Sequence, residues 1–158
     1  MRILETIGDV EINICDENQL LTFTAGATID GDGAGGNKEH DPCFQSDTSL
    51  HYKGKPLNSR VDKFIVLPIP MFKQVKPVLL GSAVVVQNTN NGKVVNAVVG
   101  DKGPSHHIGE ISIALAEALE IPSDPNKGGI EAHILKYEVH MGVPAVVDGK
   151  TYELTPTK

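Results

Sequence analysis

Hydrophobic and polar positions along this chain alternate with a period of two far more often than with the helical period. Asp9-Val10-Glu11-Ile12-Asn13-Ile14 alternates strictly and predicts a half-buried strand, with Leu20-Leu21-Thr22-Phe23-Thr24 as its partner. Ile134-Leu135-Lys136-Tyr137-Glu138-Val139-His140 alternates too, with Leu135, Tyr137 and Val139 on one side. Phe64-Ile65-Val66-Leu67-Pro68 is a short apolar run stopped by proline, as a buried strand would be. Ala83-Val84-Val85-Val86-Gln87 and Val94-Val95-Asn96-Ala97-Val98-Val99 flank a polar segment containing Asn91-Gly92. Asn-Gly between β-branched runs predicts a hairpin.

Helical spacing is clear once. Glu110-Ile111-Ser112-Ile113-Ala114-Leu115-Ala116-Glu117-Ala118-Leu119 puts Ile111, Leu115 and Ala118 on one face, and Pro122 closes the run. In this reading Glu110 sits in the first helical turn. The stretch Asp30-Gly31-Asp32-Gly33-Ala34-Gly35-Gly36-Asn37 reads as loop. There is no internal repeat, linker or low-complexity tail. The pattern therefore predicts a single domain over residues 1–158, mainly β (α+β), a small barrel with one main helix.

Composition narrows the function. With 158 residues, 40% hydrophobic and 22% charged, the chain is long enough for one domain with a proper core. No apolar run approaches the roughly 20 residues of a membrane-spanning helix, so no membrane is implied. Met1-Arg2-Ile3-Leu4-Glu5 lacks an apolar core, and no signal peptide is visible. A net charge of −6 argues against a nucleic-acid partner and suits a cationic ligand. Cys15 and Cys43 are the only cysteines; two free, buried thiols is the simpler reading and one disulfide the other.

The chemistry centres on two carboxylates nine residues apart, Asp101 and Glu110. Asp101 follows Val98-Val99-Gly100, as at the end of a buried strand, and Glu110 opens the helical run. Two rigid supports of this kind hold carboxyl groups across a cleft, which acid-base hydrolysis of a glycosidic bond requires. Each residue also has an ordinary structural use: Asp after Gly bonds backbone N–H groups in turns, and Glu suits a first helical turn. Other motifs are weaker. Counted from Asp30 as a calcium loop, position 5 is Ala34 and position 12 is Asp41, a poor match. His106, His107, His133 and His140 lack metal-ligand spacing, so no metal and no cofactor is expected. A loop histidine bonding substrate is the better use of His106 or His107. Nothing local to Cys43 supports a nucleophile.

The order of these pieces resembles the chitosanases of glycoside hydrolase family 75, best known from fungi. The likeness begins at Ile29-Asp30-Gly31-Asp32-Gly33-Ala34-Gly35 and runs through Asp41-Pro42-Cys43-Phe44-Gln45-Ser46-Asp47-Thr48-Ser49, Pro56-Leu57-Asn58 and Phe64-Ile65-Val66-Leu67-Pro68. It is most specific at Gly100-Asp101 followed by Ile108-Gly109-Glu110-Ile111-Ser112, and ends near Ile134-Leu135-Lys136-Tyr137. It implies a six-stranded barrel of the double-psi kind, endo-acting inverting hydrolysis of β-1,4 links in chitosan, secretion, and Asp101 and Glu110 as the catalytic pair. The order within the pair stays open on the residues: a helix start would lower the Glu110 pKa and favour it as base, whereas apolar Ile108 and Ile111 beside it would raise the pKa and favour it as acid, with Asp101 as base, the order preferred here. Asp30, Asp32 and Asp47 are candidates for binding the sugar ammonium groups, with His106 and His107 beside them. Gly31 stands where the fungal proteins have a cysteine, and the loop after Asp101 reads Lys-Gly-Pro-Ser-His-His. The glycine-rich approach to a Gly-Glu-Ile-Ser segment also resembles murein lytic transglycosylases, which makes peptidoglycan the alternative substrate. A glycan-binding or structural barrel without activity is a further alternative, weakened by the absence of Trp.

Overall fold

The computed structural model describes residues 1–31, 47–74 and 78–156. Among them the order is β1 (Arg2–Ile7), β2 (Val10–Cys15), β3 (Leu20–Asp30), β4 (His51–Tyr52), β5 (Lys55–Pro56), β6 (Phe64–Pro68), α1 (Ile69–Gln74), β7 (Ser82–Asn88), β8 (Val94–Gly103), β9 (Glu110–Ser112), α2 (Ile113–Leu119), β10 (Ile130–Pro144), β11 (Val146–Val147) and β12 (Lys150–Thr151). Six strands close a barrel in the order β3-β10-β7-β8-β6-β9, and β9 returns to β3. Two of its pairings, β3 with β9 and β6 with β8, are parallel. The small barrel with one main helix is as expected. The β1–β2 hairpin lies outside the ring. Its β2 pairs with β3 at Leu20 to Thr22, while β9 takes the far end of β3 from Thr28 to Asp30.

Registered rows of apolar side chains fill the barrel. Leu21, Val139, Val84 and Ala97 stand opposite one another on four successive strands, each at most 1% exposed. Phe23, Tyr137 and Val86 form the next row, where the Phe23 and Tyr137 rings stack at 4.5 Å. A third row, Ile29–Ile111–Ile65–Val99, closes the ring through β9. Burying one such side chain stabilises by about 1.5–3 kcal/mol. The hairpin forms at Asn91-Gly92, where Gly92 takes a positive φ of 77°.

Several boundaries differ from the pattern-based reading. The main helix starts three residues late, because Ser112 caps it: its hydroxyl accepts from the Leu115 N–H at 3.3 Å. The same hydroxyl donates to the Asp62 carbonyl and accepts from the Phe64 N–H. Glu110 consequently belongs to a strand, not to a first helical turn. The helix ends at Glu120 in the left-handed region, two residues before Pro122. Strand β3 runs through Asp30, which is therefore not loop. Strand β8 continues past Asp101 to Gly103, and the helix α1 and strand β1 had no clear signal. Asp32, Cys43 and the glycines between Gly31 and Asn37 lie outside the described residues; Cys15 is a free, half-buried thiol.

Candidate active site

Asp101 and Glu110 are mounted on different strands and share one neighbour. Val66 of β6 is the register partner of Asp101 on β8 and of Glu110 on β9. Directly opposed residues project from the same face of a sheet. Both carboxylates therefore leave the barrel wall on one side, with Val66 between them. Their Cα atoms are separated by two inter-strand spacings, about 9.5 Å. Thr28 of β3 extends the row, being the register partner of Glu110.

A bulge makes this alignment possible. Ile65 pairs with Val99 but Val66 pairs with Asp101, so Gly100 is an extra residue in β8. Simple alternation from Val99, which faces the core, would have turned Asp101 to the core as well. Gly100 tolerates the crowding: a Cβ there would lie 2.7 Å from Phe64 Cβ and 2.8 Å from Leu57 Cδ1. Two residues beyond Asp101, Gly103 packs closely on the same face. A Cβ at Gly103 would lie 2.7 Å from Val66 Cγ1 and 4.0 Å from Glu110 Oε2, so the Glu110 side chain reaches over β6 toward β8.

Asp101 is 7% exposed. Its Oδ1 accepts from the Ser49 N–H at 3.0 Å, the Ser49 hydroxyl at 2.7 Å and the Lys102 N–H at 2.9 Å. Among the described residues no donor reaches its Oδ2. Burial pushes the Asp101 carboxyl above its ordinary value of 3.8, the three donors pull against that, and the nearby charge of Asp47 adds to the rise. Glu110 is half-buried.

The candidate binding residues are placed unequally. Asp47 is well exposed, accepts from the Thr48 N–H and is bonded to His51 Nε2 at 2.7 Å. Asp30 is buried at the end of β3, in register with Ser112. His107 Nε2 and the Thr28 hydroxyl are hydrogen-bonded at 2.9 Å, and burial lowers the imidazole pKa below its ordinary 6.5. His106 is exposed on the same loop. Among the described residues no group of three or more His, Cys, Asp or Glu side chains could hold a metal ion. Ser49 was missed as a site residue. Its contact with Asp101 spans 52 positions, and no local signal announces a contact at that range.

A model of the fungal chitosanases of glycosyl hydrolase group 75 matches residues 27–155. The chain belongs to this family. No curated protein matches the chain. The family is one of glycoside hydrolases that degrade chitosan, and its match takes in both acids, Ser49, Asp47 and the whole barrel except the first seven residues of β3. Strands β1 and β2 stand outside the match. No described helix is long and apolar enough to cross a membrane.

Proposed function

We propose that the protein is an endo-acting chitosanase that cleaves β-1,4 bonds with inversion, using Asp101 as general base and Glu110 as general acid. The observation that carries this reading is the shared register partner, Val66, which sets the two carboxylates on one face two strands apart. Side chains mounted two strands apart leave room between their carboxyl groups for a water, as inversion across about 6.5–9.5 Å requires. Three donors on Oδ1 favour the ionised form of Asp101 and fix its plane, while burial strengthens it as a base. Its Oδ2 is the oxygen that takes the proton of the attacking water. Glu110, reaching across β6, protonates the departing glycosidic oxygen. Asp47, exposed beside Asp101, receives a glucosamine ammonium group, and His106 and neutral His107 bond sugar hydroxyls. Asp30, being buried, suits orientation of the floor rather than direct ammonium binding. The polymeric substrate implies work outside the cell.

The test is to incubate the protein with chitosan, chitin and peptidoglycan and to read products by mass spectrometry. Reducing-end glucosamine oligomers support the reading. Anhydro-sugar ends from peptidoglycan would mean a lytic transglycosylase instead. The roles separate on oligomers with an activated aryl leaving group, where Glu110→Gln retains turnover and Asp101→Asn does not. The opposite pattern exchanges the roles.

A further inference from the structure

A cavity of about 580 Å³ is lined in part by a segment that precedes the family match. Its walls are residues 7–10 of the β1–β2 turn, 25–28 of β3, 106–109 of the loop before β9, and 127–131 with His133. It is continuous with the catalytic face, since Thr28 and Gly109 line it and Thr28 is the register partner of Glu110. Its floor lies low where backbones cross closely: a Cβ at Gly26 would meet the Ile130 carbonyl oxygen at 2.2 Å.

The two outer walls are built by different devices. One is the β1–β2 turn, carrying Asp9. The other is an excursion of β10. Ile130 pairs with Ala27 and Leu135 with Ala25, so five steps on β10 match two on β3 and the surplus loops outward with Glu131 and His133. The walls meet where His133 Nε2 and Asp9 Oδ1 come within 3.5 Å, a contact exposed enough to be weak and easily parted. The lining carries two carboxylates, Asp9 and Glu131, against one ammonium, Lys127.

We propose that this cavity is a distal subsite that seats a glucosamine unit of the substrate chain on the Glu110 side, with Asp9 and Glu131 pairing its ammonium group. The inference rests on the chitosanase reading above. It assigns the N-terminal hairpin, which lies outside the family match, the task of lengthening the cleft. A polymer long enough to reach the cavity gains one more ammonium–carboxylate contact, whereas a short oligomer bound over Asp101 and Glu110 gains none. Subsite length is then a property of the hairpin, separable from the chemistry.

The experiment measures initial rates on fully deacetylated chitosan oligomers of increasing length for wild type, Asp9→Asn, Glu131→Gln and the double variant. Both positions of change are exposed, so the fold is preserved. Glu17→Gln, at the opposite end of β2, controls for net charge. On the longest oligomer kcat/KM falls about fivefold in the double variant, through KM, and on the shortest cleaved oligomer it stays within about twofold. The Glu17→Gln control shows no dependence on length. A ratio of variant to wild type that is the same at every length overturns the subsite while leaving the chitosanase reading intact. A wild type that cleaves no chitosan oligomer overturns that reading and the subsite together.

Discussion

Two buried aspartates of nearly equal exposure, Asp101 at 7% and Asp62 at 6%, occupy opposite chemical situations. Asp62 has a cation and a full set of donors. Its Oδ1 accepts from Lys150 Nζ at 2.9 Å and from the Tyr152 hydroxyl at 2.6 Å, and its Oδ2 from the Asn58 N–H at 2.8 Å. Lys150 also lies over the Tyr52 ring, 5.0 Å from its centroid. Asp101 has no ion pair among the described residues, and all three of its donors converge on one oxygen. Burial alone thus does not mark a reactive carboxylate. A buried acid with both oxygens bonded and its charge matched holds structure. One that is charge-unmatched, with one oxygen left over, is set up to exchange a proton.

Removing charge without changing shape separates the two most sharply. Asp101→Asn, with Oδ1 still accepting its three bonds, is expected to lower turnover on chitosan about 10²–10⁴-fold, with a melting temperature equal to wild type or higher. Glu110→Gln should match that loss of turnover. Near-normal turnover in either variant removes that residue from the mechanism. Asp62→Ala reverses the pattern. It leaves the Lys150 ammonium unmatched and is expected to cost about 2–3 kcal/mol in denaturant unfolding, below a fully buried pair because Lys150 is 34% exposed. The folded fraction should retain its specific activity. A loss of specific activity without a loss of stability would erase the distinction.

The pH dependence sharpens the comparison at smaller amplitude. The Asp101 carboxyl is raised above 3.8 by burial, so the folded state holds its proton more tightly than the unfolded chain. The cost of ionising it is absent below the unfolded pKa and fully present above the folded one. The stability advantage of Asp101→Asn over wild type should therefore grow as pH rises through that window, while wild-type turnover, which needs the ionised base, is gained over the same range. An advantage that shrinks with rising pH would contradict the assignment. Salt should have the smallest effect. Raising ionic strength from about 0.01 to about 0.5 M is expected to raise KM for chitosan several-fold, since exposed Asp47 is screened, with kcat little changed. Equal rates on chitin and chitosan at low salt would remove the case for ammonium recognition.

Local patterning made much of the barrel legible and little of its site. The alternation around Val10 and Leu135, the apolar run from Phe64 and the Asn91-Gly92 turn are short-range features, and β2, β10, β6 and the β7–β8 hairpin follow them. Glu110 was misplaced because Ile111 and Leu115 satisfy helical spacing, while the Ser112 cap that starts the helix later has the weaker signature. The face of Asp101 depends on a register shift between β6 and β8, which belongs to a pair of strands and is written in neither alone. Ser49 and the Asp62–Lys150–Tyr152 cluster join positions 52 to 90 apart, beyond any periodicity.

The barrel is closed by its shortest member. Strand β9 is three residues long, and it is both the seam joining β3 to β6 and the mount of Glu110. Any slackening of that seam is felt first as a misaimed acid. Functional melting and structural melting should then part company: under mild denaturant, turnover fades before the circular dichroism of the sheet. Ile111, the fully buried pin of the seam, becomes a control on working temperature, because Ile111→Val loosens the mount by one methylene and is expected to cost about 0.5–1.5 kcal/mol of stability, while lowering the temperature of peak activity more than the melting temperature.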